Sequence, residues 1–210
     1  MHSFQEETWA GNFGDEYTRR NTFDIAQLNN LYLNNFGVSR ETMNEEFLHS
    51  LDRRMKILEV GMNSGNQLLL LQQMGFKHLY GIEINESAAE SARKRLNGIN
   101  ILHGSAFDLP FKDNFFDMVY TSGVLIHISK KDLHDVMREI YRCSKRYIWG
   151  FEYFSKETKE VGYRGNTNLL WKADFSSLYR QMFPNLNLLK EKNYKYLDND
   201  NIDVMYLMSK

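Results

Sequence analysis

The stretch Lys56-Ile57-Leu58-Glu59-Val60-Gly61-Met62-Asn63-Ser64-Gly65 decides the fold of this chain. Residues 57–60 form an apolar run broken only by Glu59, a pattern typical of a strand that is buried on both faces of a sheet. Gly61 and Gly65 bracket a turn, and the run 67–74 that follows indicates a helix. This order of strand, glycine loop and helix places the free N–H groups of a helix N-terminus at the strand's end, where they can face a ligand.

A second predicted strand, 79–84, carries an acid at its tip, Glu83, followed by Ile84. Glu83 follows the glycine loop at close to the ~20-residue spacing at which an acid at the tip of the next parallel strand holds a ribose diol. The unit is therefore predicted to bind a ligand that contains adenosine, with Glu83 as the ribose ligand.

The glycine loop favours one adenosine ligand over another. A dinucleotide fingerprint needs a glycine where Asn63 stands, so that the backbone can approach a pyrophosphate. The carboxylate of Glu59 would repel a pyrophosphate, whereas it would attract the sulfonium and ammonium groups of S-adenosylmethionine. A nicotinamide-dependent oxidoreductase is accordingly the weaker alternative. A module that binds S-adenosylmethionine without catalysis remains open.

Composition excludes several other classes of protein. The chain has 210 residues with a net charge of −1 and a single cysteine, Cys143. This charge argues against a nucleic-acid binder, and one cysteine excludes an internal disulfide or a cysteine-based zinc site. The six histidines show no paired spacing, so no metal is expected. The N-terminus lacks a signal pattern and no apolar run could span a bilayer, so we expect a cytoplasmic protein without membrane insertion, of unknown oligomeric state.

The order of predicted elements gives the fold class. Strands alternate with helices and end in an antiparallel pair, which predicts an α/β Rossmann-like doubly wound sheet with a C-terminal antiparallel hairpin. Residues 1–52 are predicted to form an N-terminal aromatic and helical extension, and residues 53–210 the Rossmann-like domain. The more specific predictions are a helix over 23–36 ended by Gly37, a helix that starts at Ser87, a helix over 172–183 capped by Asp174, and a hairpin of strands 187–196 and 202–208.

The span 56–153 resembles the class I S-adenosylmethionine-dependent methyltransferases. The resemblance rests on Glu59-x-Gly61-x-x-x-Gly65, on the segment 104–111 and on 116–119. It implies that Ser105 and Ala106, with Phe107, lie against adenine, and that Thr121, Ser122 and Gly123 line the methionine end. The family's usual adenine-reading acid is replaced here by Ser105, whose neutral hydroxyl is a weaker acceptor for the exocyclic amine.

Further segments resemble a narrower family, the methylases associated with pseudaminic acid biosynthesis. These segments are 9–17 with Arg20-Asn21, then 121–128, 163–165 and 172–175. The resemblance implies a sugar substrate among bacterial sialic-acid-like nonulosonates, their precursors or activated forms, used in surface glycan biosynthesis. It does not name the acceptor atom.

Candidate residues for chemistry follow the fourth and fifth predicted strands. A sugar hydroxyl would benefit from a general base, for which His127 is the first candidate and Glu152 the second. Arg164 could hold a carboxylate or phosphate, beside Tyr163, and Tyr153 could also face the substrate. The aromatic residues before residue 20 are either simple packing or a lid over the cofactor. The predicted cofactor-binding set is Trp9, Phe13, Tyr17, Arg20, Glu59, Gly61, Asn63, Gly65, Glu83, Ile84, Ser105, Ala106, Phe107, Thr121, Ser122 and Gly123.

Overall fold

The computed structural model describes residues 3–210. Seven of its strands form one sheet, and two short strands form a separate hairpin. The strands are β1 (Lys56–Val60), β2 (His78–Glu83), β3 (Asn100–His103), β4 (Phe116–Ser122), β5 (Ser144–Tyr153), β6 (Lys159–Glu160), β7 (Trp171–Lys172), β8 (Asn187–Lys195) and β9 (Ile202–Ser209). The helices are α1 (Phe4–Ala10), α2 (Asn12–Arg20), α3 (Ile25–Phe36), α4 (Arg40–Leu48), α5 (Asn66–Gln73), α6 (Glu86–Arg95), α7 (Leu133–Cys143) and α8 (Phe175–Met182).

The strand order in the main sheet is β3-β2-β1-β4-β5-β9-β8. The five strands from β3 to β5 are parallel, whereas β9 pairs antiparallel with both β5 and β8. This arrangement confirms the predicted fold class and its C-terminal antiparallel hairpin. The chain order reverses between β1 and β4, and in sheets of this kind ligands bind beyond the carboxyl ends of the strands at that reversal.

The sheet is covered on both faces. Leu58 and Val60 of β1 pack in the cluster that α7 and α8 complete. Ile57, one residue out of phase, packs in the cluster completed by α4, α5 and α6. Because successive side chains of a strand point to opposite faces, a strand in this position needs apolar residues on both faces, as β1 has at Ile57, Leu58 and Val60.

Local signals set most element ends. Gly37 ends α3 in the left-handed conformation at a φ of 72°, as predicted. Asp174 caps α8 by accepting from the Ser177 N–H at 3.0 Å, also as predicted, although Lys172 lies in β7 and not in the helix. The prediction that Ser87 starts α6 was wrong, because Asn85 takes the extended N-cap conformation and accepts from the Ala88 N–H at 2.8 Å.

The N-terminal extension consists of α1 to α4. Ser3 caps α1 and Asp24 caps α3, each through a reciprocal capping box. Helix α2 contacts α6, and α3 contacts α4 and α5, so the extension lies beside the carboxyl ends of β1 and β2. Within residues 3–210, no helix is long and apolar enough to cross a membrane.

Candidate active site

A cavity opens at the carboxyl ends of β1 to β4, beneath the N-terminal extension. Its floor comes from the loops after these strands and its cover from α1, α2 and α3. Of the residues predicted from the sequence, those that line it are Trp9, Tyr17, Glu59, Gly61, Asn63, Glu83, Ile84, Ser105, Ala106, Phe107, Ser122, Gly123 and His127. The structure therefore brings together side chains that lie far apart in the chain.

The glycine loop has the backbone shape that only small residues tolerate well. Gly61 has a φ of 70°, and a Cβ there would lie 2.7 Å from Cγ2 of Val124. Gly65, at a φ of 77°, is the N-cap of α5, and a Cβ on it would meet Leu96 at 2.4 Å. Gly61 thus leaves the cavity floor open, whereas Gly65 does not line the cavity and serves the turn.

Glu83 is held rigidly at the cavity wall. Its Oε2 accepts from the Asn63 N–H and its Oε1 from the Asn85 N–H, both at 2.8 Å. The side chain is 8% exposed, and burial raises its pKa, against which the backbone donors act. Each carboxylate oxygen has a second acceptor position, so a vicinal diol can still bind.

The cavity lining also includes an acid from α1, Glu6, which was not predicted from the sequence. Ser105 accepts from the Phe107 N–H at 3.1 Å and donates its own hydrogen to Oε1 of Glu6 at 2.6 Å. Glu6 belongs to α1 and lines the cavity beside Ile84 and Ala106. The N-terminal extension thus adds a carboxylate to the cavity at Ser105, which sequence reasoning missed because a long-range contact brings it there.

Glu59, near the carboxyl end of β1, lines the cavity. The side chain is 3% exposed and its Oε2 accepts from the Tyr120 hydroxyl at 2.8 Å. Burial raises the pKa of Glu59 to about 8, partly offset by the Tyr120 hydrogen bond and by Arg40. A cationic ligand beside this carboxyl would lower its pKa and so stabilise the carboxylate form.

His127 faces the cavity from a 3₁₀ turn, Leu125–His127, that follows β4. Its Nδ1 lies 2.6 Å from the Leu169 carbonyl oxygen, which can only accept, so Nδ1 carries the hydrogen and Nε2 keeps a lone pair. Burial lowers the pKa of His127 to about 4. The imidazole is therefore neutral near pH 7 with its lone pair on Nε2, and the same burial makes it a weaker base than an exposed histidine.

Glu152, the second candidate base, does not line the cavity. It is fully buried beneath the turn that carries His127, and its two oxygens accept from the Val124 N–H at 3.2 Å and the Ile126 N–H at 3.4 Å. Burial raises the pKa of Glu152 to about 7. In this arrangement Glu152 positions the turn and does not meet a substrate.

The predicted aromatic segment lies over the cavity. Trp9 and Tyr17 line it, and the Trp9 ring centroid is 4.5 Å from that of His127. Phe13 packs behind them, edge-on to Trp9 and against Tyr163. Arg20 pairs with Glu16 at 3.6 Å and does not line the cavity.

The predicted substrate residues lie outside this cavity. The Tyr153 hydroxyl lies 3.3 Å from that of Tyr196. Thr121, which was predicted to bind the cofactor, is buried within β4 and does not line the cavity either. Tyr163 contacts the His127 ring at 5.3 Å between centroids. Arg164, in a left-handed conformation at a φ of 50°, places its guanidinium 5.8 Å over the Tyr163 ring. Tyr153, Tyr163 and Arg164 therefore do not line the cavity.

Asn85 links the N-terminal extension to the Rossmann-like domain by hydrogen bonds. Its Nδ2 donates to Oδ1 of Asp15 at 2.9 Å and to the Trp9 carbonyl oxygen at 3.2 Å. Gly14 is closely packed at the same point, since a Cβ there would lie 2.0 Å from the Trp9 carbonyl oxygen and 2.9 Å from Asn85 Nδ2. The cover of the cavity therefore depends on a glycine and an amide in contact.

Gly14→Ala is expected to displace α1 and α2 while the domain stays folded. We expect affinity for S-adenosylhomocysteine to fall by roughly tenfold, the equivalent of one or two lost hydrogen bonds. Calorimetric titration measures the affinity, and thermal unfolding reports the fold. Gly162→Ala is the matched control, because a Cβ there meets nothing within 4 Å. Equal affinities in both variants would show that the aromatic segment is packing alone.

Residues 58–147 match the family model described as "Methyltransferase domain". A demethylmenaquinone methyltransferase from Listeria welshimeri is 26% identical over 163 residues, which are 74% of this chain and 64% of that protein. The match thus spans less than two thirds of that relative's length.

Solved structures share the fold at low identity. A SAM-dependent methyltransferase from Aquifex aeolicus has a TM-score of 0.60 at 18% identity, covering 89% of this chain and 99% of that one. The [4+2]-cyclase SpnF has a TM-score of 0.65 at 17% identity, covering 81% and 79%. This chain is therefore similar to methyltransferases over residues 58–147 and shares its fold with solved S-adenosylmethionine-dependent methyltransferases.

Proposed function

We propose that this protein transfers a methyl group from S-adenosylmethionine to a hydroxyl of a sialic-acid-like nonulosonate sugar, its precursor or its activated form. The observation that carries the proposal is that His127 lines the covered cavity while the Leu169 carbonyl oxygen holds its Nδ1–H, which leaves the lone pair on Nε2. The resemblance of the segments 9–17, 121–128 and 163–165 to the pseudaminic-acid-associated methylases supports the sugar acceptor.

Different residues of the cavity would bind different parts of the cofactor. Glu83 would hold the ribose, Ile84 and Phe107 the base, and Glu59 the cationic amino-acid end. When bound, S-adenosylmethionine supplies the methyl group: its S–C bond breaks with the electron pair left on sulfur as an O–C bond forms.

His127 would accept the hydroxyl proton at Nε2 while the Leu169 carbonyl oxygen keeps Nδ1–H in place. Glu152 holds the turn that carries the imidazole, and Trp9 covers it. Because the reaction is an in-line displacement, alignment inside the covered cavity supplies much of the rate enhancement, at best about 7–11 kcal/mol.

Mass spectrometry of the product tests this proposal. The protein is incubated with S-adenosylmethionine bearing a deuterated methyl group and with nonulosonates, their precursors or their nucleotide-activated forms. We expect the label on a sugar oxygen. Demethylmenaquinone and phosphoethanolamine, the acceptors in the names of two relatives, serve as comparison acceptors. Label on either of these and on no sugar would contradict the sugar assignment, and label on none would favour a binding module without catalysis.

A further inference from the structure

We propose that a second pocket, beside the cavity that His127 lines, binds an anionic group of the acceptor. The inference rests on the proposed function and deepens it, because it states which chemical group of the acceptor the protein recognises. That group is a phosphate or, as the alternative source, a carboxylate. The pocket, called the basic pocket below, is lined by the segment 129–131 and by Phe4, Gln5, Asn168 and Trp171.

The basic pocket adjoins the cavity. Gln5 lines both of them. His127 and Ile128 line the cavity, and the next residue, Ser129, lines the basic pocket. Because two residues of chain span at most about 7 Å, the backbone of Ser129 lies within that distance of His127. One acceptor can therefore place a hydroxyl at His127 and another of its groups in the basic pocket.

The lining of the basic pocket carries positive charge and no negative charge. Lys130 and Lys131 are its charged residues, and both are exposed. Among residues 3–210, no carboxylate lies within 4.0 Å of either ammonium group. Asp132, the next residue, accepts from Ser129 Oγ at 2.6 Å and does not line the pocket. A pocket lined by charges of one sign attracts ligands of the opposite sign, so this pocket favours an anion.

Buried side chains build the walls of the basic pocket. Gln5 is 5% exposed, and its Nε2 donates to the Asn168 carbonyl oxygen at 3.1 Å, which joins α1 to the chain before β7. Ser129 and Trp171 are buried as well. The volume of about 490 Å³ lies within the range of ~300–1,000 Å³ that is common for ligand sites. The fold itself therefore provides room for a ligand at this place.

The aromatic part of the lining favours a phosphate that is joined to a planar base. Phe4 is 57% exposed where it lines the basic pocket, and Trp171 lines it from β7. Aromatic side chains bind planar bases by stacking, and the ammonium groups of Lys130 and Lys131 suit the phosphate to which such a base is joined. A nucleotide-activated sugar carries both groups, and it therefore fits the basic pocket better than a free acidic sugar does.

Calorimetric titrations in the presence of S-adenosylhomocysteine test the basic pocket without turnover. The charged probes are uridine 5′-monophosphate and sialic acid, and their neutral partners are uridine and the methyl ester of sialic acid. We expect uridine 5′-monophosphate to bind more tightly than uridine. The double variant Lys130→Met with Lys131→Met should weaken its binding roughly tenfold, since two exposed charge contacts are lost. The affinities for uridine and for S-adenosylhomocysteine should not change.

The matched control is the double variant Lys77→Met with Lys145→Met. It removes the same two charges beside the amino ends of β2 and β5, whereas the cavity lies at the carboxyl ends of the strands. Neither of these lysines lines the cavity or the basic pocket. We expect this control to bind every probe as the wild type does.

Steady-state kinetics on the sugar that accepts the label give a second readout. The double variant at Lys130 and Lys131 should raise KM for that acceptor roughly tenfold and leave kcat close to that of wild type, because these lysines bind a part of the acceptor that does not react. Salt screens exposed charges, so KM should rise more steeply with ionic strength in wild type than in this variant.

The outcomes separate the two sources of the anion from the failure of the inference. A lysine-dependent loss for sialic acid, absent for uridine 5′-monophosphate, would keep the basic pocket and make a carboxylate its ligand. Charged probes that bind no better than their neutral partners, or equal losses in the control variant, would overturn the inference. A labelled sugar product would then leave the proposed function intact. Label on no sugar, with lysine-dependent binding of a charged probe, would overturn the proposed function and keep the anion site.

Discussion

Glu83→Ala is expected to weaken binding of S-adenosylhomocysteine by roughly 10²–10⁴-fold. The substitution removes two hydrogen bonds from ribose hydroxyls to a charged acceptor, each worth about 1.5–3 kcal/mol. It also removes the acceptor of the Asn63 and Asn85 N–H groups, which fix the loop and the start of α6. Isothermal titration calorimetry measures the affinity.

Two further variants separate the loss of the ribose contact from loss of structure. Glu83→Gln keeps the shape of the side chain but replaces one acceptor oxygen with a donor, so a smaller loss is expected. Glu90→Ala, on the exposed face of α6 where Glu90 pairs with Arg93, controls for the removal of a nearby carboxylate. Unchanged affinity in Glu83→Ala would remove Glu83 from the site.

His127→Ala is expected to lower kcat by roughly 10²–10⁴-fold while affinity for S-adenosylhomocysteine stays close to that of wild type. The expected loss is that of a general base, since Nε2 is the acceptor and Nδ1 is held by Leu169. The steady-state rate of formation of the labelled sugar product measures this loss. His134→Ala, an exposed histidine of α7, is the matched control. Near-normal kcat in His127→Ala would move the base role to water.

The pH dependence of the wild-type rate gives a second test of the role of His127. A base acts in its neutral form, and burial lowers the pKa of this histidine to about 4. Its protonation should therefore leave kcat unaffected from pH 8 down to about 5, whereas an ordinary exposed histidine would lose activity below ~6.5. Loss of the rate through pH 6.5 in wild type, absent from His127→Ala, would contradict the buried neutral state.

The sheet and its cofactor loop could be predicted because local sequence determines them. An apolar β1, glycines at positive φ and an acid at the tip of β2 leave few alternative structures. The closing hairpin was equally clear, since the polar turn 198–201 separates two strand-like runs.

The remaining features depend on contacts between distant residues, which a single sequence does not display. Glu6 reaches Ser105 and Arg40 reaches Ser122 only because the extension folds back over the strand ends. The position of His127 after β4 was visible, but its tautomer depends on the Leu169 carbonyl oxygen, far along the chain. Glu152 was a candidate base because a carboxylate stands near the end of the fifth predicted strand. Only its burial beneath residues 124–126 shows that it supports the turn.

A crystal structure of the protein with S-adenosylhomocysteine tests the central claim most directly. We predict the ribose hydroxyls on the two oxygens of Glu83, the base between Ile84 and Phe107, and the sulfur facing His127 beneath Trp9. A ligand bound with its ribose away from Glu83, or outside the cavity that α1 and α2 cover, would contradict the account.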